Sequence, residues 1–188
     1  MNAYFALLAL VGIERLAELR RSRRNAARAR DRGGIELGRR HFRVMAVAHA
    51  LFLPACALEV WALGRPFLPA LGWPMLGLVA LAQALRAWVV ATLGPRWNVR
   101  TIVIPGEPVV TDGPFRMVRH PNYVAVMVEA FAIPLVHSAW LTAIVFTAVN
   151  VPLLAVRIRC EEAALAAHSD RARRLEGLPR FVPRLGRR

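Results

Sequence analysis

The sequence predicts an all-α integral membrane protein of five transmembrane helices. Three observations carry that expectation. The chain of 188 residues is 56% hydrophobic yet carries a formal net charge of +14. Its apolar and charged residues are segregated into blocks, where a soluble domain would interleave them. All 26 basic residues are Arg, and they cluster between the apolar blocks as they do in cytoplasmic loops of membrane proteins.

A helix needs roughly 20 mostly apolar residues to cross the hydrocarbon core. Five stretches qualify, at residues 3–19, 44–63, 71–93, 122–136 and 139–156. The first carries Glu14, Arg15 and Glu18 near one end, and the fourth is short. The start lacks a basic n-region and a small-residue cleavage site, so it reads as part of a mature first helix. His137-Ser138 leaves room only for a tight turn, which makes the fourth and fifth spans a helical hairpin.

The distribution of Arg fixes the expected topology. Residues 20–43 hold ten Arg, residues 94–120 hold four and residues 157–188 hold nine, whereas residues 64–70 hold only Arg65. Five crossings with the amino terminus outside place all three Arg-rich segments in the cytoplasm. Four or six crossings put one of them on the wrong side. One domain over residues 1–188 is expected, in a plasma membrane of bacterial type.

Residues 94–121 form a long polar connection. Val99–Ile104 and Pro108–Thr111 are β-branched and short, with Pro105-Gly106 between them. They suit a small extended or hairpin element capping the membrane face. Residues 171–188 are basic and suit the anionic cytoplasmic leaflet.

Several function classes recede. A basic chain suits nucleic acid, but here the Arg clusters flank apolar spans, so no nucleic-acid partner is expected. Cys56 and Cys160 are far apart, which argues against a disulfide framework or zinc site. The five His make no HxxxH or HExxH pair, so no metal is expected.

Two polar clusters remain. Arg119-His120-Pro121-Asn122-Tyr123 opens the fourth span. Pro at the first position of a helix is well tolerated, and the helix start offers unpaired N–H groups to an anion. An interfacial belt of His and Tyr is the plainer reading. Arg157-Ile158-Arg159-Cys160-Glu161-Glu162 closes the fifth span, with Arg157 and Glu161 four apart on one helix face. Two surface ion pairs, each worth under ~1 kcal/mol, are the plainer reading there. The hairpin brings both clusters to the same end, which points to an active site at the membrane surface. Glu14, His49, Glu59, Gln83, Arg86, Glu129 and Asn150 are polar residues within or near spans, costly in lipid and expected to face partners or a cavity. Glu14 and Glu18 with Arg15, and Glu59 with Arg86, suit structural pairs. Glu129 shares a helix face with Asn122 and is expected to reach a cavity and the substrate.

The run Gly-Pro-Phe-Arg-x-x-Arg-His-Pro-Asn-Tyr at residues 113–123, an apolar helix, and then Arg157, Glu161, Glu162 and Leu165 resemble the isoprenylcysteine carboxyl methyltransferase family. The resemblance covers residues 97–165. It implies a membrane enzyme using S-adenosylmethionine in a cytoplasmic-face cofactor site. It assigns Gly113, His120, Pro121, Asn122 and Tyr123 to the cofactor cradle, with Val128, Ile133, Pro134 and Leu135 lining the pocket and Glu161 holding a polar part of the cofactor. Arg157 faces the acceptor oxygen, and Arg119 assists at the helix start. Residues 14–19, Arg24-Asn25, residues 34–38, His41, His49, residues 96–100 and residues 104–106 are similar to a bacterial branch that O-methylates long-chain alkylpyrones or alkylresorcinols supplied by a type III polyketide synthase. The chain departs from the family after Leu165, although Phe181-Val182-Pro183-Arg184 resembles the family's ending. Rival readings are a prenylcysteine carboxyl methyltransferase, a small membrane transporter or scaffold, and a reductase of the distantly similar sterol type.

Overall fold

The structure is a computed structural model, and it describes residues 1–168 and 177–182. The basic stretch at residues 171–188 therefore lies outside the described residues except for 177–182. Five helices make up the body: α1 (Asn2–Asp31), α2 (Arg39–Ala62), α3 (Pro69–Leu93), α4 (Pro121–Leu135) and α5 (Trp140–His168).

The helix boundaries follow local chemistry. Gly38 takes a left-handed conformation immediately before α2, where a side chain would be strained. Pro69 and Pro121 open α3 and α4 at positions where a missing N–H costs no intrahelical bond. The residues between α4 and α5 form a tight turn with Ser138 at a φ of 58°, so the expected hairpin is present.

Among the described residues three helices are long and apolar enough to cross a membrane by length and composition: α2, α3 with its following turn, and α5. α4 is apolar but has 15 residues, about 22 Å at 1.5 Å per residue. α1 runs twelve residues beyond the predicted first span, because the Arg/Ala-rich stretch that follows is itself strongly helix-forming.

The charge pattern is inverted relative to a soluble bundle. Leu10, Ile13 and Leu16 of α1, Val47 and Trp61 of α2, Leu81 of α3 and Ile144 of α5 are exposed. Glu59, Arg86, Glu129, Asn150 and Arg157 are buried. An apolar rind around a polar interior is stable in lipid and not in water.

A two-stranded sheet interrupts the all-helical expectation. β1 (Ile35–Leu37) pairs antiparallel with β2 (Thr101–Val103), Glu36 opposite Ile102. The predicted extended segment at residues 99–104 is thus a strand over Thr101–Val103 alone, and its partner comes from the α1–α2 connection. Residues 108–111 form no strand. The sheet is held by charge: the Glu36 carboxylate receives Arg100 at 2.7 Å and has Arg39 within 3.5 Å. It ties both polar connections over one end of the bundle.

At the other end Glu59 clamps α2 to α5. Its carboxylate accepts from the backbone N–H groups of Leu141 and Thr142, from the Thr142 hydroxyl and from Arg65. The expected Glu59–Arg86 pair does not form. Glu59 is near the end of α2 and Arg86 near the end of α3, and antiparallel neighbours put those ends on opposite sides of the bundle. Arg86 pairs instead with Glu18 of α1, at 2.6 Å.

Candidate active site

A cavity of about 870 Å³ opens beneath the β1–β2 sheet and runs between α1, α2, α4 and α5. That volume is near the upper end of the roughly 300–1,000 Å³ found for small-molecule sites, enough for two reactants. Its end under the sheet is polar and carries Arg119, His120, Asn122, Tyr123, Arg157 and Glu161. Its deep end is apolar, closed by Val11, Phe52, Leu53, Ile133 and Phe146.

α4 supplies one wall. Asn122, Val126, Glu129 and Ile133 all line the cavity, at helical spacing along one face. Val128, Pro134 and Leu135 do not line it, because they sit on other faces of α4; Pro134 and Leu135 are fully buried against neighbouring helices. Gly113 also lies outside the lining. It is required for packing: its φ is +56°, and a Cβ there would meet Thr92 Oγ1 at 2.5 Å and Trp88 Nε1 at 3.1 Å. Gly113→Ala is therefore expected to destabilise the protein by more than about 1 kcal/mol, read as a lower Tm of the purified protein. An unchanged Tm would contradict this packing role.

The start of α4 is strapped from outside. Arg119 donates its backbone N–H to Pro179 O at 2.9 Å and its Nε to Leu178 O at 2.7 Å, and His120 N donates to Arg180 O at 3.1 Å. His120 Nε2 lies 3.1 Å from Glu162, whose carboxylate also receives Arg180 at 2.7 Å. These Glu162 contacts raise the Arg180 guanidinium above its ordinary pKa. Phe181 packs with Tyr123, Leu154 and Ile158. Residues 178–181 thus tie the chain beyond α5 to the start of α4.

Arg157 organises the polar end. It is 9% exposed. Its Nε donates to Tyr123 Oη at 2.9 Å, its Nη2 to Val99 O at 2.6 Å, and its Nη1 reaches Met45 Sδ at 3.8 Å. Tyr123 Oη in turn donates to Glu161. The i, i+4 pair predicted between Arg157 and Glu161 is bridged by a tyrosine from the facing helix, so the two clusters seen in sequence form one site.

Deeper in the wall lies a polar network that joins α1, α3 and α4. Arg15 donates to Glu18 at 2.9 Å, to Gln83 at 2.5 Å and to Glu129 at 3.0 Å. Arg86 pairs with Glu18, reaches Asn122 Oδ1 at 3.4 Å, and stacks over Trp97 with its Cζ 5.5 Å from the ring centre. Sequence reasoning expected Glu129 to reach the cavity and read Arg15, Glu18 and Arg86 as structural pairs; all four line it. It also missed Met45, Phe42 and Trp97 as lining residues. Nothing in their local spacing distinguishes them from packing residues.

Fold and cavity together define a helical membrane protein whose site lies beneath its polar cap, between the helices. The model of the isoprenylcysteine carboxyl methyltransferase (ICMT) family matches residues 75–167, from α3 into α5. The chain is 34% identical to the uncharacterized protein YpbQ of Bacillus subtilis over 167 residues, covering 88% of this chain and 98% of that protein. It is 30% identical to an uncharacterized protein of Haemophilus influenzae over 138 residues, covering 72% of this chain and 78% of that one. The chain belongs to the isoprenylcysteine carboxyl methyltransferase family, a family of membrane methyltransferases.

Proposed function

We propose that the protein is an integral membrane O-methyltransferase that uses S-adenosylmethionine and acts on a lipophilic acceptor, a long-chain alkylpyrone or alkylresorcinol. The observation that carries this reading is the two-ended cavity, polar under the β1–β2 cap and apolar at depth. Such a cavity suits a ring with a long tail, the ring at the polar end and the tail against Phe52, Phe146 and Ile133.

Five crossings, with the amino terminus outside and the carboxyl terminus cytoplasmic in a bacterial inner membrane, accompany this reading. For α1 the support is its outward Leu10, Ile13 and Leu16 opposite an inward Arg15 and Glu18. For α4 it is the hairpin with α5. A type III polyketide synthase is the proposed source of the acceptor.

The residues present fit the cofactor. The start of α4 and the Arg119 side chain suit the carboxylate of its amino-acid portion, and Glu161 suits the ammonium. When bound, the cofactor supplies an electrophilic methyl group on sulfur. The chain's own task is then positioning. Arg157 orients the acceptor oxygen by charge-assisted hydrogen bonds. Glu129, on the same face of α4 as Asn122, borders the acceptor ring. Tyr123 donates its Oη–H to Glu161 and accepts from Arg157, which fixes the carboxylate and the guanidinium relative to each other. The apolar deep end excludes water.

The reading is tested by calorimetric titration of the purified protein in detergent with S-adenosylmethionine. Saturable binding is expected. His120→Ala removes the Glu162 contact that anchors the strap, and is expected to weaken binding by tenfold or more, about 1.4 kcal/mol. A folded, monodisperse wild-type protein that binds no S-adenosylmethionine would overturn the reading. Product analysis with an alkylresorcinol and with N-acetyl-S-farnesylcysteine then separates the two acceptor classes.

A further inference from the structure

His49 has no part in the reading above, yet it lines the same cavity. It projects from the middle of α2. Its Nδ1 lies 2.9 Å from the backbone oxygen of Met45. A carbonyl oxygen can only accept, so Nδ1 carries the proton and Nε2 of the neutral ring carries the lone pair. Among the described residues Nε2 has no hydrogen-bond partner.

Its position is informative. Met45 is shared: its carbonyl holds His49 Nδ1, and its sulfur meets Arg157 Nη1. His49 is therefore one helical turn from the residue whose sulfur touches the Arg157 guanidinium. On its other side the imidazole meets Phe146 edge-on, ring centres 5.3 Å apart, and Phe146 stacks on Phe52 at 4.0 Å. His49 thus marks the boundary between the polar and apolar ends, where the ring of a tailed acceptor would sit. The charges acting on it are those of Arg157 from α5 and Arg15 from α1.

The basic groups nearest the Arg157 guanidinium and on the α4 wall are engaged. Tyr123 Oη gives its single proton to Glu161 and accepts from Arg157. Glu129 receives Arg15. A carboxylate acceptor is already ionised at neutral pH and needs no base, whereas a ring hydroxyl has a proton to lose.

We propose that His49 is the catalytic base of this enzyme, and that its acceptor is a protonated ring hydroxyl in place of a carboxylate. The proposal rests on the methyltransferase reading and deepens it. His49 Nε2 takes the hydroxyl proton as the oxygen's electron pair forms the new O–CH3 bond and the S–CH3 bonding pair stays on sulfur. The imidazolium then gives its proton to water at the cytoplasmic mouth. The products are the methyl ether, S-adenosylhomocysteine and one proton.

The test uses the full chain in detergent, with His49→Asn, which retains a donor for Met45 O and removes the Nε2 lone pair. Three probes are compared: a long-chain 5-alkylresorcinol, its ring-nitrated analogue, which is ionised at neutral pH, and N-acetyl-S-farnesylcysteine. For the alkylresorcinol, kcat is expected to fall about 100-fold or more with KM little changed. The variant's rate should then rise about tenfold per pH unit, following acceptor ionisation. The nitrated analogue should be methylated at nearly the wild-type rate. Two readouts do not depend on turnover. S-adenosylmethionine affinity by calorimetry should be unchanged, and the ultraviolet shift of bound alkylresorcinol without cofactor should be lost.

Equal losses on the ionised and un-ionised acceptors would mean a structural role and overturn the proposal. So would a variant that keeps normal alkylresorcinol turnover, or a wild type that binds the cofactor but methylates only the farnesylcysteine carboxylate. A wild type that binds no cofactor sinks the methyltransferase reading itself, which separates the two failures. If His49→Asn does not fold, His49→Gln is measured on the same probes with the same expectations.

Discussion

Arg157→Ala is expected to abolish methyl transfer while S-adenosylmethionine still binds. Three of its contacts explain the size of the effect. The guanidinium holds Tyr123 Oη, the Val99 carbonyl and the Met45 sulfur at once, so it fixes α4, the loop before β2 and α2 around the reacting oxygen. Misplacing a reacting atom by about 1 Å typically costs ~100-fold in rate, and here three anchoring contacts are lost together. Arg157→Lys should recover little, because a point charge cannot donate to Tyr123 and Val99 in a fixed fork. The measurement is single-turnover methyl transfer beside calorimetry on the same sample. Normal turnover in Arg157→Ala would remove Arg157 from the site.

The second large effect is on stability. Glu18→Ala leaves Arg86 buried without its carboxylate and takes one partner from Arg15. Both side chains of the Glu18–Arg86 pair are nearly sequestered, at 11% and 8% exposure. Breaking such a pair by deleting one partner costs about 3–5 kcal/mol, since the surviving charge stays desolvated. Removing both, in Glu18→Leu with Arg86→Met, should recover much of that loss. The comparison is thermal unfolding in one detergent. A single variant as stable as the wild type would show that Arg86 finds another partner, and would refute the network as the tie between α1 and α3. Cavity shape should suffer too, since Arg86 reaches Asn122 and covers Trp97.

Much of this architecture was legible because the governing terms are local or compositional. Apolar block length identifies the three helices long and apolar enough to cross a membrane. Pro121 marks the start of α4, and the brevity of His137-Ser138 forces the hairpin that brings residues 119–123 beside residues 157–162. The i, i+4, i+7 spacing from Asn122 through Val126 to Glu129 put one face of α4 on the cavity, as expected of Glu129. The same periodicity excludes Val128 and Leu135, which a family-wide assignment of the helix had included.

Other features depend on register between distant segments, which no local pattern encodes. Glu59 pairs with Arg65 and caps α5, while Arg86 pairs with Glu18, because antiparallel packing sets which ends meet. The strand at residues 101–103 finds Ile35–Leu37 and not residues 108–111. The strap at residues 178–180 reaches Arg119 and His120 across a stretch where the family motif is absent.

By itself, then, the sequence determined that this is a helical membrane protein of the methyltransferase family with paired polar clusters at one end, since hydrophobic length, charge placement and short motifs are properties of contiguous residues. Only the tertiary structure decided that Tyr123 stands between Arg157 and Glu161, that α1 lends Arg15 and Glu18 to the cavity wall, and that His49 lines the cavity with one nitrogen committed to Met45. Those are contacts between helices, fixed by the depth at which each helix packs against its neighbours.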